Sequence, residues 1–244
     1  MSPLQANSSR SVKKKDPPYG WIALTLIALF VAGAGLVLAS PQGAAARSAL
    51  NWLLLLDTQN SAWFVTRSAG ILSYLLVWLS TAWGLAIPTK LIDRILHRGD
   101  TFEFHQFISL LSFGFLALHI FILAADQYLP YSLAQMFIPF LSPYRPLWVG
   151  VGIIAFYLLL LVTVTFYMRQ RIGMKAFRAI HYSSLLAYLG ATAHGLMAGT
   201  DSSLPMTLLM YGGTFLVIVF LTTYWLVMVW QGKRASVQKA SATA

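Results

Sequence analysis

The chain has 244 residues, of which 58% are hydrophobic and only 10% are charged. One water-soluble core cannot bury so much apolar surface, so the composition excludes an ordinary soluble domain and indicates an integral membrane protein in contact with lipid. The formal net charge of +10 would suggest nucleic-acid binding in a soluble protein. Here the basic residues cluster between apolar segments, as topology signals do, so we expect no nucleic-acid partner.

The absence of cysteine restricts the possible redox cofactors. It excludes disulfides, thiolate zinc sites, iron–sulfur clusters and covalently attached c-type haem. Histidine is then the obvious ligand for any redox cofactor that the chain holds.

Six segments are long enough to cross about 30 Å of hydrocarbon as helices. The first, Trp21–Ala39, follows a basic stretch as a signal peptide would, but its apolar run has the length of a span, so we expect an uncleaved helix. Arg47–Leu56 is too short to cross and is predicted to be an interfacial helix. The other five predicted spans are Ser61–Ile87, Phe102–Ala125, Leu147–Met168, Lys175–Ala198 and Pro205–Trp230.

The predicted fold is therefore all-α and integral to the membrane, a six-transmembrane-helix bundle over residues 21–230. The distribution of basic residues predicts its orientation. Of the 17 Lys and Arg, 14 fall in the tails and in the second and fourth loops, two (Arg47 and Arg145) fall on the opposite side, and Arg67 lies inside the second span. Cytoplasmic segments carry the excess of basic residues. Both tails, residues 1–20 and 231–244, are thus predicted to be cytoplasmic, in a multi-pass protein of a bacterial cytoplasmic membrane.

Four of the five histidines lie in two predicted spans, His105 and His119 in the third and His181 and His194 in the fifth. An ionisable side chain in hydrocarbon is costly and needs a partner or a function. The 14-residue step from His105 to His119 covers about 21 Å of helix axis, and the 13-residue step from His181 to His194 about 20 Å. Two imidazole pairs at matching depths are what two b-type haems (heme b), each ligated on both faces, require. We therefore predict two haem sites between helices 3 and 5.

The fifth span raises a difficulty, because 13 steps of a regular helix turn the second histidine about 140° from the first. If both are ligands, we expect a distortion between them, at Ser183, Ser184 or Gly190. Gly114, Gly190 and Gly195 offer room for a macrocycle edge, although small residues also serve ordinary helix packing. The fifth histidine, His97, is predicted to be a solvated loop residue.

Three arginines are candidate partners for haem propionates, which favour guanidinium groups. Arg67 lies about two turns into the second span, where it either pairs with a propionate or another anion, or extends to the outer surface. Arg145, in the outer loop, either binds a propionate or an anionic acceptor or is an ordinary surface charge. Arg178, three residues before His181, either meets propionates of the inner haem or serves as a topology signal.

Residues 61–230 contain three characteristic stretches and the two histidine spacings, thirteen intervening residues in one span and twelve in the other. The stretches are TRSAGILSYLL (Thr66–Leu76), FHQFISLLSFGFLALH (Phe104–His119) and FRAIHYSSLLAYLGATAHGLMAGTD (Phe177–Asp201). With these features the sequence resembles the ferric-reductase-like transmembrane superfamily. That superfamily includes the membrane domain of NADPH oxidases, ferric reductases, and the haem subunit of bacterial periplasmic methionine sulfoxide reductase systems. The resemblance implies haem ligation by His105 with His181 and by His119 with His194.

The oxidases and ferric reductases carry a flavin and nicotinamide domain after their membrane part, where this chain has the 14 residues Gln231–Ala244 and no glycine-rich phosphate loop. We therefore expect a separate cytoplasmic flavoprotein reductase, or quinol, to supply electrons to this chain, the electron-transfer subunit of an oxidoreductase. The expected acceptor lies on the periplasmic or extracellular side: ferric iron, oxygen or a periplasmic oxidoreductase. The alternatives are a haem-free transporter or channel that relays protons through its histidines, and a purely structural membrane subunit.

Overall fold

The computed structural model describes residues 61–89, 91–93, 96–125 and 131–242, together with isolated positions before Ser61. Close backbone contacts divide the chain into two compact units, Met1–Ser48 and Ala49–Ala244, and the following concerns the second. Its described residues form helices and connecting turns, with no strand among them. The helices are α1 (Ser61–Ala86), α2 (Arg98–Ile122), α3 (Leu133–Phe137), α4 (Pro146–Ile172), α5 (Met174–His181), α6 (Ser183–Ala198) and α7 (Pro205–Ala242), and a short 3-10 helix, Leu123–Ala125, continues α2.

Four described helices are long and apolar enough to cross a membrane. They cover Ala62–Ala86, Arg98–Ile122, Pro146–Ile172 and Pro205–Lys233, and they confirm the second, third, fourth and sixth predicted spans as long apolar helices. The helix of the sixth continues to Ala242, well past the predicted end at Trp230. The first predicted span, Trp21–Ala39, and the predicted interfacial helix, Arg47–Leu56, lie outside the described residues except for isolated positions.

The fifth predicted span is interrupted at Tyr182, which separates α5 from α6. A distortion was expected between the two histidines at Ser183, Ser184 or Gly190, and the observed interruption directly precedes the first of these. The hydroxyl of Ser183 donates to the carbonyl oxygen of Ile180 at 2.7 Å. A serine hydroxyl bonded to the backbone of the preceding turn is a usual companion of a bent helix.

The ends of α4 follow from its flanking residues. Pro146 is its first residue, where the missing N–H of proline costs no hydrogen bond. Gly173 follows its last residue with φ 85°, a conformation that side-chain-bearing residues rarely adopt. The chain restarts at once as α5, so Gly173 turns the backbone between the fourth predicted span and the histidine-bearing segment.

The centre of the bundle is a buried cluster contributed by α1, α6 and α7: Tyr74, Val77, Tyr188, Tyr211 and Ile218. The Tyr74 hydroxyl lies 2.6 Å from Thr214 Oγ1 and 3.3 Å from the Tyr188 hydroxyl. Large apolar side chains are exposed on the outside of α7, as expected for a helix that contacts lipid. Polar groups inside and apolar groups outside are thus arranged as in a membrane bundle.

The helices around the histidines form two packed pairs. Helix α2 packs along α1, and α6 packs along α4, while α1 also contacts α6 and α7. Among the helices that the structure describes, α2 does not pack extensively against α5 or α6. The histidine rings of α2 approach those of α5 and α6 where the two pairs of helices meet.

Candidate functional site

The four histidines form two pairs, as their spacing predicted. His105 on α2 faces His181 at the end of α5, with ring centres 6.1 Å apart and ring planes at 77°. His119 on α2 faces His194 on α6, with ring centres 6.3 Å apart and ring planes at 75°. The two pairs thus share nearly the same separation and the same near-perpendicular arrangement.

The separation excludes a direct hydrogen bond within either pair. An imidazole nitrogen lies about 1.2 Å from the ring centre, so a hydrogen bond of about 3.5 Å or less holds two ring centres within about 5.9 Å. Both observed separations exceed this value. The two rings of each pair are close neighbours without bonding to each other, which leaves room for an atom between them.

In the His119–His194 pair, both rings are held by backbone carbonyl groups of the neighbouring helix. Nδ1 of His119 lies 2.8 Å from the carbonyl oxygen of Thr66 on α1, and Nδ1 of His194 lies 2.9 Å from that of Trp148 on α4. A carbonyl oxygen only accepts, so each Nδ1 carries the proton and donates it. Each Nε2 then keeps a free lone pair, which is the form in which histidine binds a metal.

The His105–His181 pair is held differently. Nδ1 of His105 is 3.4 Å from Ser80 Oγ, a long contact, and Ser80 is itself bonded to Ser109 Oγ at 2.6 Å. Nδ1 of His181 is buried and has no hydrogen-bond partner among the described residues. The nearest described aromatic neighbour of the His181 ring on its own helix is Phe177, with ring centres 5.2 Å apart.

Three glycines allow three of the histidine rings to lie against a helix backbone. A Cβ atom on Gly70 would be 2.8 Å from Nδ1 of His119, one on Gly152 would be 2.6 Å from Nδ1 of His194, and one on Gly84 would be 3.2 Å from Cε1 of His105. The contacts at Gly70 and Gly152 are too short for a side chain unless the ring moves, whereas the contact at Gly84 is tight but could be relieved by a small shift of the ring.

Each of these glycines comes four residues after the residue that hydrogen-bonds the same ring. The combinations are Thr66 with Gly70, Ser80 with Gly84, and Trp148 with Gly152. Residues four apart share a helix face, so one face supplies both the hydrogen-bond acceptor and the space.

These glycines were not predicted from the sequence, which had suggested Gly114, Gly190 and Gly195 instead. A Cβ on Gly114 would meet nothing within 4 Å, one on Gly190 would lie 3.1 Å from Cβ of Ala155, and one on Gly195 would meet the Tyr211 hydroxyl. The last two therefore serve helix packing. A signal for the missed residues was present, because Gly70 and Gly84 are separated by 14 residues, as are His105 and His119.

The three candidate arginines lie in different surroundings. Arg67 forms an ion pair with Asp201, and its guanidinium carbon lies 3.9 Å from the ring centre of Trp63. Arg145 is exposed and donates a hydrogen bond to the carbonyl oxygen of Met197, while Arg178 is exposed on α5. Arg67 thus already has an anionic partner within the protein, a residue that the sequence analysis did not single out.

The fifth histidine, His97, precedes α2 and is exposed, with its carbonyl oxygen accepting from Thr101. No group of three or more His, Cys, Asp or Glu side chains able to hold a metal ion occurs in the part of the chain that the structure describes. Comparison of the chain with protein-family models, with curated proteins and with solved structures gave no match. The function must therefore be inferred from the geometry of the two histidine pairs.

Proposed function

We propose that the chain is a membrane b-type cytochrome that carries electrons across the bilayer through two haems, one held by each histidine pair. The observation that supports this proposal is the existence of two pairs with ring centres 6.1 and 6.3 Å apart. A metal ion bound by two imidazoles on opposite sides, at about 2 Å from each nitrogen, holds the ring centres about 6.4 Å apart. Both pairs meet this requirement.

The number of protein ligands supports haem over a bare ion. A structural zinc ion takes four protein ligands and a catalytic one takes three, whereas each pair here offers two imidazoles. Haem iron receives four nitrogen ligands from its macrocycle and needs only two axial ligands from the protein. Facing rings 6.1 and 6.3 Å apart, which do not bond to each other, are compatible with a metal at the centre of a flat macrocycle.

Six membrane spans follow if the interrupted segment is treated as one of them. Four described helices have the length and composition of spans. Together α5 and α6 extend over residues 174–198, and we propose that they form the fifth span, bent at Tyr182. Trp21–Ala39 is the proposed first span, and the excess of basic residues in the even-numbered loops and the tails supports a cytoplasmic position for both termini.

The two pairs then lie at two depths in the membrane, His105–His181 near the cytoplasmic side and His119–His194 nearer the outer side. Haem supplies reversible one-electron chemistry. The protein supplies the axial imidazoles, the carbonyl oxygens of Thr66 and Trp148 that orient the outer pair, and an apolar surrounding that excludes water. A separate cytoplasmic flavoprotein or quinol is the proposed donor.

The outer end of the bundle is the proposed place where the acceptor docks. Residues 131–145 fold there into α3 and a turn in which Ser142 Oγ donates to the carbonyl oxygen of Tyr144 at 2.7 Å, and Arg145 is exposed beside them. The proposed acceptors are ferric iron, oxygen or a periplasmic oxidoreductase. Arg67 and Arg145 at this end, and Arg178 at the other, are the proposed propionate partners, with Arg67 also retaining its ion pair to Asp201.

The alternative of a haem-free proton relay has less support. A relay through histidines needs a chain of hydrogen bonds, direct or through one water, and the rings of each pair are too far apart for a direct one. In the His119–His194 pair, Nδ1 of each ring is already committed to a backbone carbonyl. These rings are suited to holding a metal by Nε2 rather than to passing a proton.

A reduced-minus-oxidised absorption spectrum of the protein, purified from haem-replete cells, tests the proposal. We expect a low-spin b-type spectrum and about two haems per chain. Each of the substitutions His119→Ala and His194→Ala should remove one haem and leave the other, while His97→Ala, which changes an exposed histidine, should remove none. A folded but colourless protein would contradict the proposal. So would unchanged haem content in the four single alanine variants of His105, His119, His181 and His194.

A further inference from the structure

The two histidine pairs differ in a way that their equal ring separations conceal. In the His119–His194 pair, each ring donates to a backbone carbonyl oxygen, at 2.8 and 2.9 Å. In the His105–His181 pair, one ring has a long hydroxyl contact of 3.4 Å, and the buried Nδ1 of the other has no hydrogen-bond partner among the described residues. In the His119–His194 pair, both rings are thus hydrogen-bonded at Nδ1. In the His105–His181 pair, at most one ring is.

The cause lies in the sequence of α4. On α1, glycine recurs after 14 residues, at Gly70 and Gly84, and each supports one histidine of α2. On α4 the corresponding step from Gly152 leads to Phe166, whose ring packs against Phe177 with centres 6.0 Å apart. Phe177 in turn contacts the ring of His181. Aromatic packing therefore replaces, at the fourth histidine, the glycine and acceptor that support the other three.

The difference has two chemical consequences. A hydrogen bond from Nδ1–H fixes the tautomer and the orientation of a ligating histidine, and it makes Nε2 a stronger donor to the metal. A stronger donor stabilises the oxidised, more positively charged iron and so lowers the reduction potential. A histidine without such a bond is less preorganised, and its pair binds the metal group more weakly.

We propose, on the basis of the proposed haem-binding function, that the two sites differ in haem affinity and in reduction potential because their histidines are hydrogen-bonded differently. The His119–His194 pair is the tighter site and has the lower reduction potential. The His105–His181 pair is the weaker site, filled second and emptied first, with the higher potential, so electron transfer from it to the outer pair is uphill and depends on removal of the electron by the acceptor. Gly152 and Trp148 on α4, and Gly70 and Thr66 on α1, are positioning residues that act on the haem through the histidines.

A redox titration of the purified protein, followed by absorption and electron paramagnetic resonance, tests this inference. His194→Ala should abolish the lower-potential component, and His181→Ala the higher-potential one. Protein from haem-limited cells should contain mainly the lower-potential component. Assignment of the lower potential to the His105–His181 pair would overturn the inference, and so would equal occupancy of the two sites when haem is limiting.

The variant Gly152→Ala examines the positioning role. Its Cβ would displace the ring of His194, so we expect the haem affinity of that site to fall about 10- to 100-fold while the higher-potential component keeps its potential and spectrum. Gly213→Ala is the matched control, because Gly213 lies in the membrane-length helix α7, is exposed, and a Cβ there meets nothing within 4 Å. Equal losses of both components in Gly152→Ala would indicate a general structural effect and contradict the inference.

These outcomes are distinguishable from failure of the proposed function. A wild-type protein without haem refutes haem binding itself. A wild-type protein with two haems that respond identically to Gly152→Ala and to limiting haem leaves haem binding intact and refutes only the inequality of the sites.

Discussion

The α1–α2 pair and the α4–α6 pair reach the same ring geometry by different means. On one side α2 is continuous, its histidines are 14 residues apart, and two glycines of α1 receive their rings. On the other side the histidines are 13 residues apart, the helix is interrupted at Tyr182, and the glycine of α4 receives only one ring. A continuous helix suits a 14-residue step, because that step returns to within about 40° of the starting face. A 13-residue step does not return to the same face, and the interruption at Tyr182 lies beside the less supported histidine.

Removing both histidines of α2, the continuous helix, is expected to have the largest effect on haem content. The double variant His105→Ala/His119→Ala leaves each opposite ring alone, so we expect loss of both haems, measured by haem content per chain. His97→Ala/His119→Ala is the matched control with the same composition change, and it should retain one haem. Retention of both haems in the first variant would show that α2 supplies no ligands.

Substituting alanine for each of the two glycines of α1 tests whether the His119–His194 site depends more on glycine than the His105–His181 site does. A Cβ at residue 70 would lie 2.8 Å from His119, and one at residue 84 would lie 3.2 Å from His105. We therefore expect Gly70→Ala to reduce the haem affinity of its site about 10- to 100-fold, and Gly84→Ala to have a smaller effect at the other site. Haem titration of the two purified variants would measure this, and a larger effect of Gly84→Ala would reverse the contrast.

The ion pair between Arg67 and Asp201 connects α1 to the segment after α6. Asp201→Asn leaves the guanidinium group without its anionic partner, and both side chains are largely shielded, so we expect a loss of about 1–2 kcal/mol in stability. Thermal unfolding in detergent would measure the loss. Arg67→Gln in addition should restore part of it, because the double variant leaves no unpaired charge.

The single variants Arg67→Gln and Asp201→Asn examine the proposed role of Arg67 as a propionate partner. If Arg67 also contacts a propionate, Arg67→Gln should shift the potential of the haem at the His119–His194 pair more than Asp201→Asn does. Equal shifts in the two variants would mean that Arg67 acts only through its ion pair.

The smallest effect is expected from Ser80→Ala. Its hydroxyl is 3.4 Å from Nδ1 of His105 and 2.6 Å from Ser109 Oγ. The substitution removes a weak contact to the histidine and one hydrogen bond to Ser109, and the latter contributes about 0.5–1.5 kcal/mol. We expect both haems to remain, with a slight rise in the higher potential. Loss of the haem at the His105–His181 pair would mean that this hydroxyl supports the ring as strongly as the carbonyl groups support the other pair.

The sequence predicted the long helices and the meeting of the histidines because both follow from regular periodicity. Apolar length marks the helices, and helical rise puts His105 level with His181 and His119 level with His194. The same arithmetic predicted a distortion between the two histidines, at Ser183, Ser184 or Gly190, and the observed interruption lies at the neighbouring Tyr182. The interfacial segment Arg47–Leu56 and the first span stay predictions.

The support behind the histidines was not predictable in this way. That Gly70 and Gly152 face rings, whereas Gly114 faces open space, depends on which helices are neighbours and how each is rotated. The pairing of Arg67 with Asp201 depends on how the chain turns after α6. Such contacts between distant residues have no local signature, and only the repeated 14-residue spacing on α1 and α2 hinted at one of them.

Electron paramagnetic resonance of the oxidised protein, combined with haem quantitation, tests the central claim most directly. The ring planes of both pairs are nearly perpendicular, at 77° and 75°, and low-spin ferric haem with perpendicular axial imidazoles gives a strongly anisotropic signal with a high principal g value. We expect two such signals and about two haems per chain. A folded protein without haem, or one with only high-spin iron, would contradict the assignment of the four histidines as axial ligands.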